Sequence, residues 1–444
     1  MRFVFVPPAE NTAGLLSLPW REPMAEWTDD RLVEIRQRGL SRHVVHFVAE
    51  SGQVYALKEL HERLARREYT LLRRLHELGI PAVEVLGVVV DRPGDLDAVL
   101  VTRFLDHSIS YRALFANPRG GQPTNRLLDA QVELLVRLHL GGFMWGDCSL
   151  SNTLFRLDAG ALAAYLVDAE TAEMHPRLTD GQRAYDVEVA SDRVGGELMD
   201  LEAGGLLPSD VDPVEVAADV VRRYEALWSE LTREDMVLPS EQRYRIAERL
   251  RRLNELGFDV DEVELIDAGE GSKLRMRTRV AEPGHHRRVL FTRTGLDAQE
   301  NQARRLLNDI ASYRSYLEQR GKGPVPEAVA ANKWLAEVYD PVVNAIPAEL
   351  HDRLDEVEVF HEIMEHRWFL SERAGRDIGT TAARTDYFDR VLPKVPDEYT
   401  ITPTSPAAPS QRAAANSGVE SGVDSGVEEE VVDDGVGEVV EEAG

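Results

Sequence analysis

In the amino-terminal half of the chain, apolar residues first alternate with polar ones and then recur at helical spacing. Residues 44–49 and 54–60 are β-rich runs separated by Glu50-Ser-Gly-Gln53, which predicts a hairpin. Residues 61–78 place Leu64, Leu71, Leu72, Leu75 and Leu78 at helical spacing and stop at Gly79-Ile-Pro81. A further strand is predicted over 98–105, running into the connector Thr102-Arg-Phe-Leu105. Residues 127–140 predict a helix striped by Leu128, Val132, Leu135 and Leu138. Leu154 and Phe155 form a short apolar strand whose partner is 163–167, and 185–201 predict a helix with Val187, Ala190, Val194 and Leu198 on one side.

Gly204-Gly205 and Pro208 mark a boundary, after which the pattern changes. Helices are predicted over 214–231 and 240–256, the second ended by Gly257. Strands are predicted over 260–266, 273–280 and 287–292, the last two joined by Pro283-Gly284, with helices over 299–319 and 350–372. The expected organisation is an extension (1–38), a first domain (39–205), an α+β second domain (206–399) and a tail (400–444).

Composition narrows this frame. At 444 residues the chain exceeds what one core usually organises, and 43% hydrophobic against 29% charged residues predicts that most of it folds. The only cysteine, Cys148, excludes an intrachain disulfide and a zinc cluster and fits a reducing interior. The amino terminus lacks the apolar core of a signal peptide and no run approaches eighteen apolar residues, so a cytoplasmic protein without a membrane span is expected. The net charge is −27, of which the tail from Thr400 carries −9 and the body −18. That balance argues against a general nucleic-acid or anionic-membrane binder. The tail repeats Ser417-Gly-Val-Glu, Ser421-Gly-Val-Asp and Ser425-Gly-Val-Glu and is expected to be disordered.

Candidate chemistry concentrates in Trp145-Gly-Asp-Cys-Ser-Leu-Ser-Asn152, followed by Leu166-Val-Asp168. An Asp, four residues, an Asn, then an apolar strand ending in a second Asp is the spacing of phosphoryl-transfer machinery. In such machinery the first Asp meets a substrate hydroxyl while the Asn and the second Asp hold magnesium on ATP phosphates, positions that Asp147, Asn152 and Asp168 would fill here. Lys58 shares a strand face with Val54 and Ala56, so it can reach phosphate oxygens while they cover an adenine ring. Glu68 lies on the apolar, inward face of its helix, where a carboxylate needs a partner. Lys58 is one candidate, and the helix neighbours Arg67 and Arg73 are the other.

On Ala56-Leu-Lys58, Glu68, His139, Gly146-Asp-Cys-Ser-Leu-Ser-Asn152 and Val167-Asp-Ala-Glu170, residues 39–205 resemble the atypical protein-kinase-like superfamily, nearest to lipopolysaccharide-kinase-like and aminoglycoside-phosphotransferase-like proteins. The resemblance implies a two-lobed fold, with a β-rich small lobe and a short helical large lobe. It implies Asp147 as catalytic base or hydroxyl-orienting residue, Asn152 and Asp168 as magnesium ligands, Lys58 as the phosphate contact and Glu68 as its partner, with ATP and Mg2+ as cofactors. The chain as a whole resembles a bacterial family that joins such a half to a domain of unknown function. Three departures stand out: Trp145 where many relatives have histidine, Ala169-Glu170 in place of Phe-Gly, and a single glycine in Gly39-Leu-Ser-Arg-His43, the expected phosphate loop. The short large lobe favours a small-molecule or glycan hydroxyl as acceptor over a polypeptide.

Other features point elsewhere. Cys148 follows a carboxylate, which disfavours a reactive thiolate. Lys273, Arg275, Arg277 and Arg279 alternate along one strand, with Arg287, Arg288 and Arg293 close behind. Such a face can hold phosphate or nucleic acid, or it can pair with internal carboxylates or form a solvated sheet face, and the acidic body favours these last two. His361 and His366 are five apart, not the four that place two imidazoles on one helix face, and are expected on a charged helix surface. Three functions stay open: a magnesium- and ATP-dependent phosphotransferase, a silent nucleotide sensor acting on a protein partner through its second domain, and a phosphate- or nucleic-acid-binding scaffold centred on the basic hairpin, the last disfavoured by the acidic body.

Overall fold

The computed structural model describes residues 1–5, 9–35, 43–116, 123–232, 235–237, 262–267, 274–279, 284–321, 323–395 and 402–403, and residues 1–403 form one compact unit. The predicted helix at 240–256, residues 39–42 of the expected phosphate loop and the tail beyond 403 lie outside the described residues.

The first layer is a seven-stranded antiparallel sheet. Its strands are β1 (Arg2–Phe5), β2 (Leu32–Glu34), β3 (Val44–Glu50), β4 (Gln53–Leu60), β5 (Val85–Val90), β6 (Ala98–Arg103) and a late strand at Thr402–Pro403. Their order is β1-β5-β6-β4-β3-β2 and then the late strand. The hairpin predicted at 44–60 is the β3–β4 pair, with Val45 opposite Lys58.

Alternation along these strands separates two environments. Tyr55 and Leu57 of β4, Val89 of β5, and Val99 and Val101 of β6 face Leu15, Leu18, Trp20, Met24 and Trp27 of the amino-terminal segment. Leu60, Val88, Val90, Ala98 and Leu100 face the opposite way, where Ala65, Leu71, Leu72 and Leu75 of α2 pack. Helix α1 spans Ala9–Leu16 and α2 spans Glu62–Glu77. The amino-terminal segment therefore covers the outer face of the sheet, leaving the face that carries Lys58 turned toward α2 and the second lobe.

That lobe contains α3 (Tyr111–Ala116), α4 (Pro123–Leu140), β7 (Phe143–Met144), β8 (Thr153–Asp158), β9 (Ala161–Leu166), β10 (Glu173–Met174), α5 (Asp180–Ala203) and α6 (Pro213–Thr232). The stripe predicted on α4 is buried, and so are Val187, Ala190, Val194 and Leu198 of α5. Val216, Val220, Tyr224, Leu227 and Leu231 of α6 join the same core, so large-lobe packing continues past position 206.

Beyond α6 stand the sheet strands β11 (Asp235–Val237), β12 (Glu262–Asp267) and β13 (Leu274–Arg279), in the order β11-β13-β12. They are followed by helices α7 (His285–Thr294), α8 (Glu300–Gly321), α9 (Glu327–Trp334), α10 (Asp340–Val343), α11 (Glu356–Ala374) and α12 (Thr380–Arg390). A second core forms here around Leu306, Trp334, Tyr339, Phe360 and Tyr387.

The predicted strand at 287–292 is instead the helix α7. Val289-Leu-Phe-Thr292 has strand propensity, but glycines with left-handed φ flank the segment, Gly284 at 75° and Gly295 at 77°. Thr292 and Thr294 donate to carbonyls one turn back, and Leu290 alone is buried against the following helices, so tertiary packing overrides the local preference. Arg287 and Arg293 pair with Asp297 and Glu327, both at 3.1 Å, whereas the side chains of Lys273, Arg275, Arg277 and Arg279, which the expected basic face rests on, lie outside the described residues. The helix predicted at 350–372 begins later, at Glu356, because Asp355 caps it by accepting from the amides of Val357 and Glu358. His361 is not on a solvated surface: burial first, and then Arg305, pull its pKa down to about 4. Among the described residues no helix is long and apolar enough to cross a membrane.

Candidate functional site

The loop Trp145-Gly-Asp147 follows β7 and is shaped by carboxylates from α5. Asp186 is fully buried and accepts from the amides of Trp145 and Gly146, both at 2.7 Å. His139 Nε2 lies 2.9 Å from the same carboxylate, and Tyr224 O–H lies 2.6 Å from His139 Nδ1. Burial pushes the Tyr224 hydroxyl up to about 12 and pulls the His139 imidazole down against Asp186, so Tyr224 donates to Nδ1 and Nε2–H donates to Asp186. Three turns along α5, Glu197 accepts from the amides of Leu150 and Ser151 at 2.6 and 3.0 Å. Gly146 has φ 75°, and a Cβ there would stand 3.2 Å from Thr171 O, so the sharp entry to Asp147 requires glycine.

Held in this way, Asp147 presents its carboxylate to two neighbours. Oδ1 lies 3.0 Å from Arg193 Nε of α5, and Oδ2 accepts from Asn152 Nδ2 at 3.1 Å. Asn152 Nδ2 also donates to Asp147 O at 3.2 Å, which turns the amide oxygen of Asn152, the atom a cation takes, away from Asp147.

On the other side of the cleft, Lys58 Nζ lies 3.1 Å from Glu68 Oε2, 2.8 Å from Asp168 Oδ2 and 3.7 Å from Glu170 Oε2. The open choice for Glu68 is thereby decided in favour of Lys58, because Arg67 instead reaches Ala172 O and Glu173. Burial alone would lower the Lys58 ammonium, but Glu68 and Asp168 reverse this and hold it above its ordinary value. Asp168 Oδ1 accepts from Glu170 N, and Glu170 Oε2 lies 2.9 Å from His43, which places the substituted Glu170 in the same cluster.

Asp147 and Asn152 thus touch one another, as do Lys58, Glu68 and Asp168, and the β8–β9 hairpin joins the two groups. Thr153 pairs with Leu166 at its base, and Val167 N donates to Asn152 O at 3.0 Å. Trp145 adds a second link, its Nε1 donating to Asp168 O at 2.9 Å. Its departure from the usual histidine therefore ties the Asp147 loop to the Asp168 segment. Among the described residues no group of three or more His, Cys, Asp and Glu side chains could hold a metal. The pair Asn152 and Asp168 offers an amide and a carboxylate oxygen, hard donors of the kind that fits magnesium when phosphate oxygens and water complete the shell. Cys148 is buried, receives Gln131 Nε2–H at 3.1 Å and has its thiol pushed up by burial, so it is inert.

Asp186, Arg193, Glu197 and Tyr224 belong to the site but lie outside the sequence motifs that point to it. Asp186 had a signal, since it sits four residues before Ala190 and eight before Val194 on the apolar stripe of α5.

Burial, with repulsion from Asp168, pushes the Glu68 carboxyl up to about 7 against Lys58 and the Ala169 amide. A carboxyl raised by folding contributes stability that is complete below its unfolded value and is lost as pH rises through its folded one. The difference in stability between wild type and Glu68→Gln is therefore expected to fall by on the order of 3 kcal/mol between pH 4.5 and 8. Chemical denaturation of both proteins across that range checks this, and a flat difference would refute the assignment.

A model of the lipopolysaccharide kinase (Kdo/WaaP) family matches residues 29–188, and a domain of unknown function, DUF4032, matches 226–392. No curated protein matches. A solved structure, "WaaP in complex with acyl carrier protein", is 18% identical, covers 58% of this chain and 99% of its own, and superposes with a TM-score of 0.36. With the cleft built by Lys58, Glu68, Asp147, Asn152 and Asp168 falling wholly inside the first match, residues 29–188 are a kinase-like domain of the lipopolysaccharide kinase (Kdo/WaaP) family, carried in one chain with a DUF4032 domain.

Proposed function

We propose that the chain is an ATP- and magnesium-dependent phosphotransferase that moves the γ-phosphoryl group of ATP to a hydroxyl of a small molecule or glycan. The observation that carries this is the ion cluster of Lys58 with Glu68 and Asp168, placed by one hairpin beside Asn152 and Asp147. Glu68, anchored on α2, holds the Lys58 ammonium where it can contact phosphate oxygens. Asn152 and Asp168 would hold magnesium, which when bound neutralises charge on the phosphates. Asp147 orients the acceptor hydroxyl and takes its proton, with Asn152 Nδ2 fixing the carboxylate.

ATP with magnesium at a hundred times its dissociation constant is expected to stabilise the protein by about 2.7 kcal/mol, read as a rise in Tm. No rise at millimolar ATP would remove the nucleotide reading. Labelled phosphate appearing on sugar or polyol acceptors then tests transfer itself. The Arg193–Asp147 pair favours one second reading, a silent nucleotide sensor, because the guanidinium competes with an incoming hydroxyl for the carboxylate. Binding without turnover on any acceptor would select it.

A further inference from the structure

The DUF4032 half has no assigned role, yet it grips one particular part of the kinase-like half. The β8–β9 hairpin turns at Ala159 and Gly160, both with left-handed φ (52° and 84°), about 17 Å along the strands from its base. Asn152 immediately precedes that base and Asp168 follows it two residues after Leu166. At the turn, Asp158 accepts from Gln302 N at 2.8 Å and from Asn301 N and Nδ2, both at 3.1 Å, and so caps the first turn of α8. Ala159 N donates to Glu358 Oε2 of α11 at 2.8 Å. Gln302 Nε2 closes the lock, donating to Glu358 Oε2 at 2.7 Å and to Leu157 O at 3.3 Å. Leu157 packs against both hydrophobic cores.

Simple cohesion between the two halves needs only apolar contact. Here Asp158, Gln302 and Glu358 are each 3% exposed or less, and two carboxylates are buried close together. Glu133 and Glu362 add further negative charge, and His361 and Arg305 stand on the helices behind. Such groups are costly to bury, and directional hydrogen bonds fix register in a way apolar contact does not. Because a two-stranded hairpin is paired residue by residue, a turn held in one register holds its base in one register as well.

We propose that the DUF4032 helices are a clamp that fixes the β8–β9 hairpin, and through it the spacing of Asn152 and Asp168, with Asp158, Gln302 and Glu358 as positioning residues. The consequence for magnesium–ATP rests on the phosphotransfer reading, whereas the hold on the hairpin does not. Hydrogen exchange and magnesium-dependent Tm shifts with ATP, measured on full-length wild type, Glu358→Ala and Glu358→Gln, test it. In Glu358→Ala, exchange is expected to quicken about tenfold along 153–167, including the base amides of Leu166 and Val167, while α2 is unchanged. The magnesium needed for half of the ATP-induced shift rises about fivefold or more in the same variant, and Glu358→Gln, which keeps the acceptor oxygen, stays within about twofold of wild type on both measures. Faster exchange confined to 158–160 overturns the clamp, and so does a lower Tm with an unchanged magnesium midpoint. If wild type shows no magnesium–ATP shift, the phosphotransfer reading falls and the exchange profile alone decides the clamp. Should Glu358→Ala not fold, Gln302→Ala, which leaves the backbone bonds to Asp158 in place, supplies the comparison.

Discussion

Asp147→Asn is expected to lower phosphoryl transfer by about 100- to 10,000-fold while the ATP-induced rise in Tm persists. Asparagine matches aspartate in shape but cannot take a proton from the acceptor. It also places a donor where the carboxylate receives Asn152 Nδ2 or Arg193 Nε, so one of these contacts becomes donor against donor. Nucleotide binding is spared because the Lys58, Glu68 and Asp168 cluster has no direct bond to the Asp147 side chain, and because the new amide oxygen keeps Asn152 Nδ2 when the exposed Arg193 is the partner that swings away. Single-turnover transfer and a Tm titration on the same preparation check both parts. Transfer within threefold of wild type would show that Asp147 is not the base, and loss of the Tm shift would show that the two groups are not separable.

The second large effect is expected from Asp168→Ala. Asp168 gives Lys58 its shortest ion pair, at 2.8 Å, and its other oxygen receives the Glu170 amide. Without it Lys58 keeps Glu68, so the unliganded fold remains, but one of the two oxygen donors proposed for magnesium is gone. Turnover should fall below detection, and the Tm shift with ATP should become the same with and without magnesium. Removing a negative neighbour also lets Glu68 ionise at lower pH, so the pH-dependent fall in stability assigned to Glu68 should move down. A magnesium-dependent shift that survives the substitution would place the metal elsewhere.

Much of this site was legible in the chain itself. Glu68 was identifiable as an inward carboxylate from its place between Leu64 and Leu71, and the structure puts it 3.1 Å from Lys58. The same reasoning applied to α5 finds Asp186, whose partners lie at 139, 145 and 146. Arg193 and Glu197 carry no such mark, because charged residues on a long helix are ordinarily solvated. Trp145 registered only as a departure, and its bond to Asp168 O makes it a tether. The strand expected at 287–292 failed for the complementary reason: a short β-branched and aromatic run has no fixed preference until neighbouring helices select which side is buried.

What the sequence determined by itself is local and periodic: the β3–β4 hairpin, the apolar stripes of α2, α4 and α5, and the interval from Asp147 through Asn152 to Asp168. Each follows from patterns spanning a few residues, where the covalent chain alone sets which side chains share a face. Only the tertiary structure decided that α5 carboxylates hold the Asp147 loop and that Gln302 and Glu358 grip a turn at Asp158 and Ala159. Those bonds join groups 40 to 199 positions apart, and they exist because burying two cores brings the faces together and leaves each desolvated donor and acceptor needing a partner.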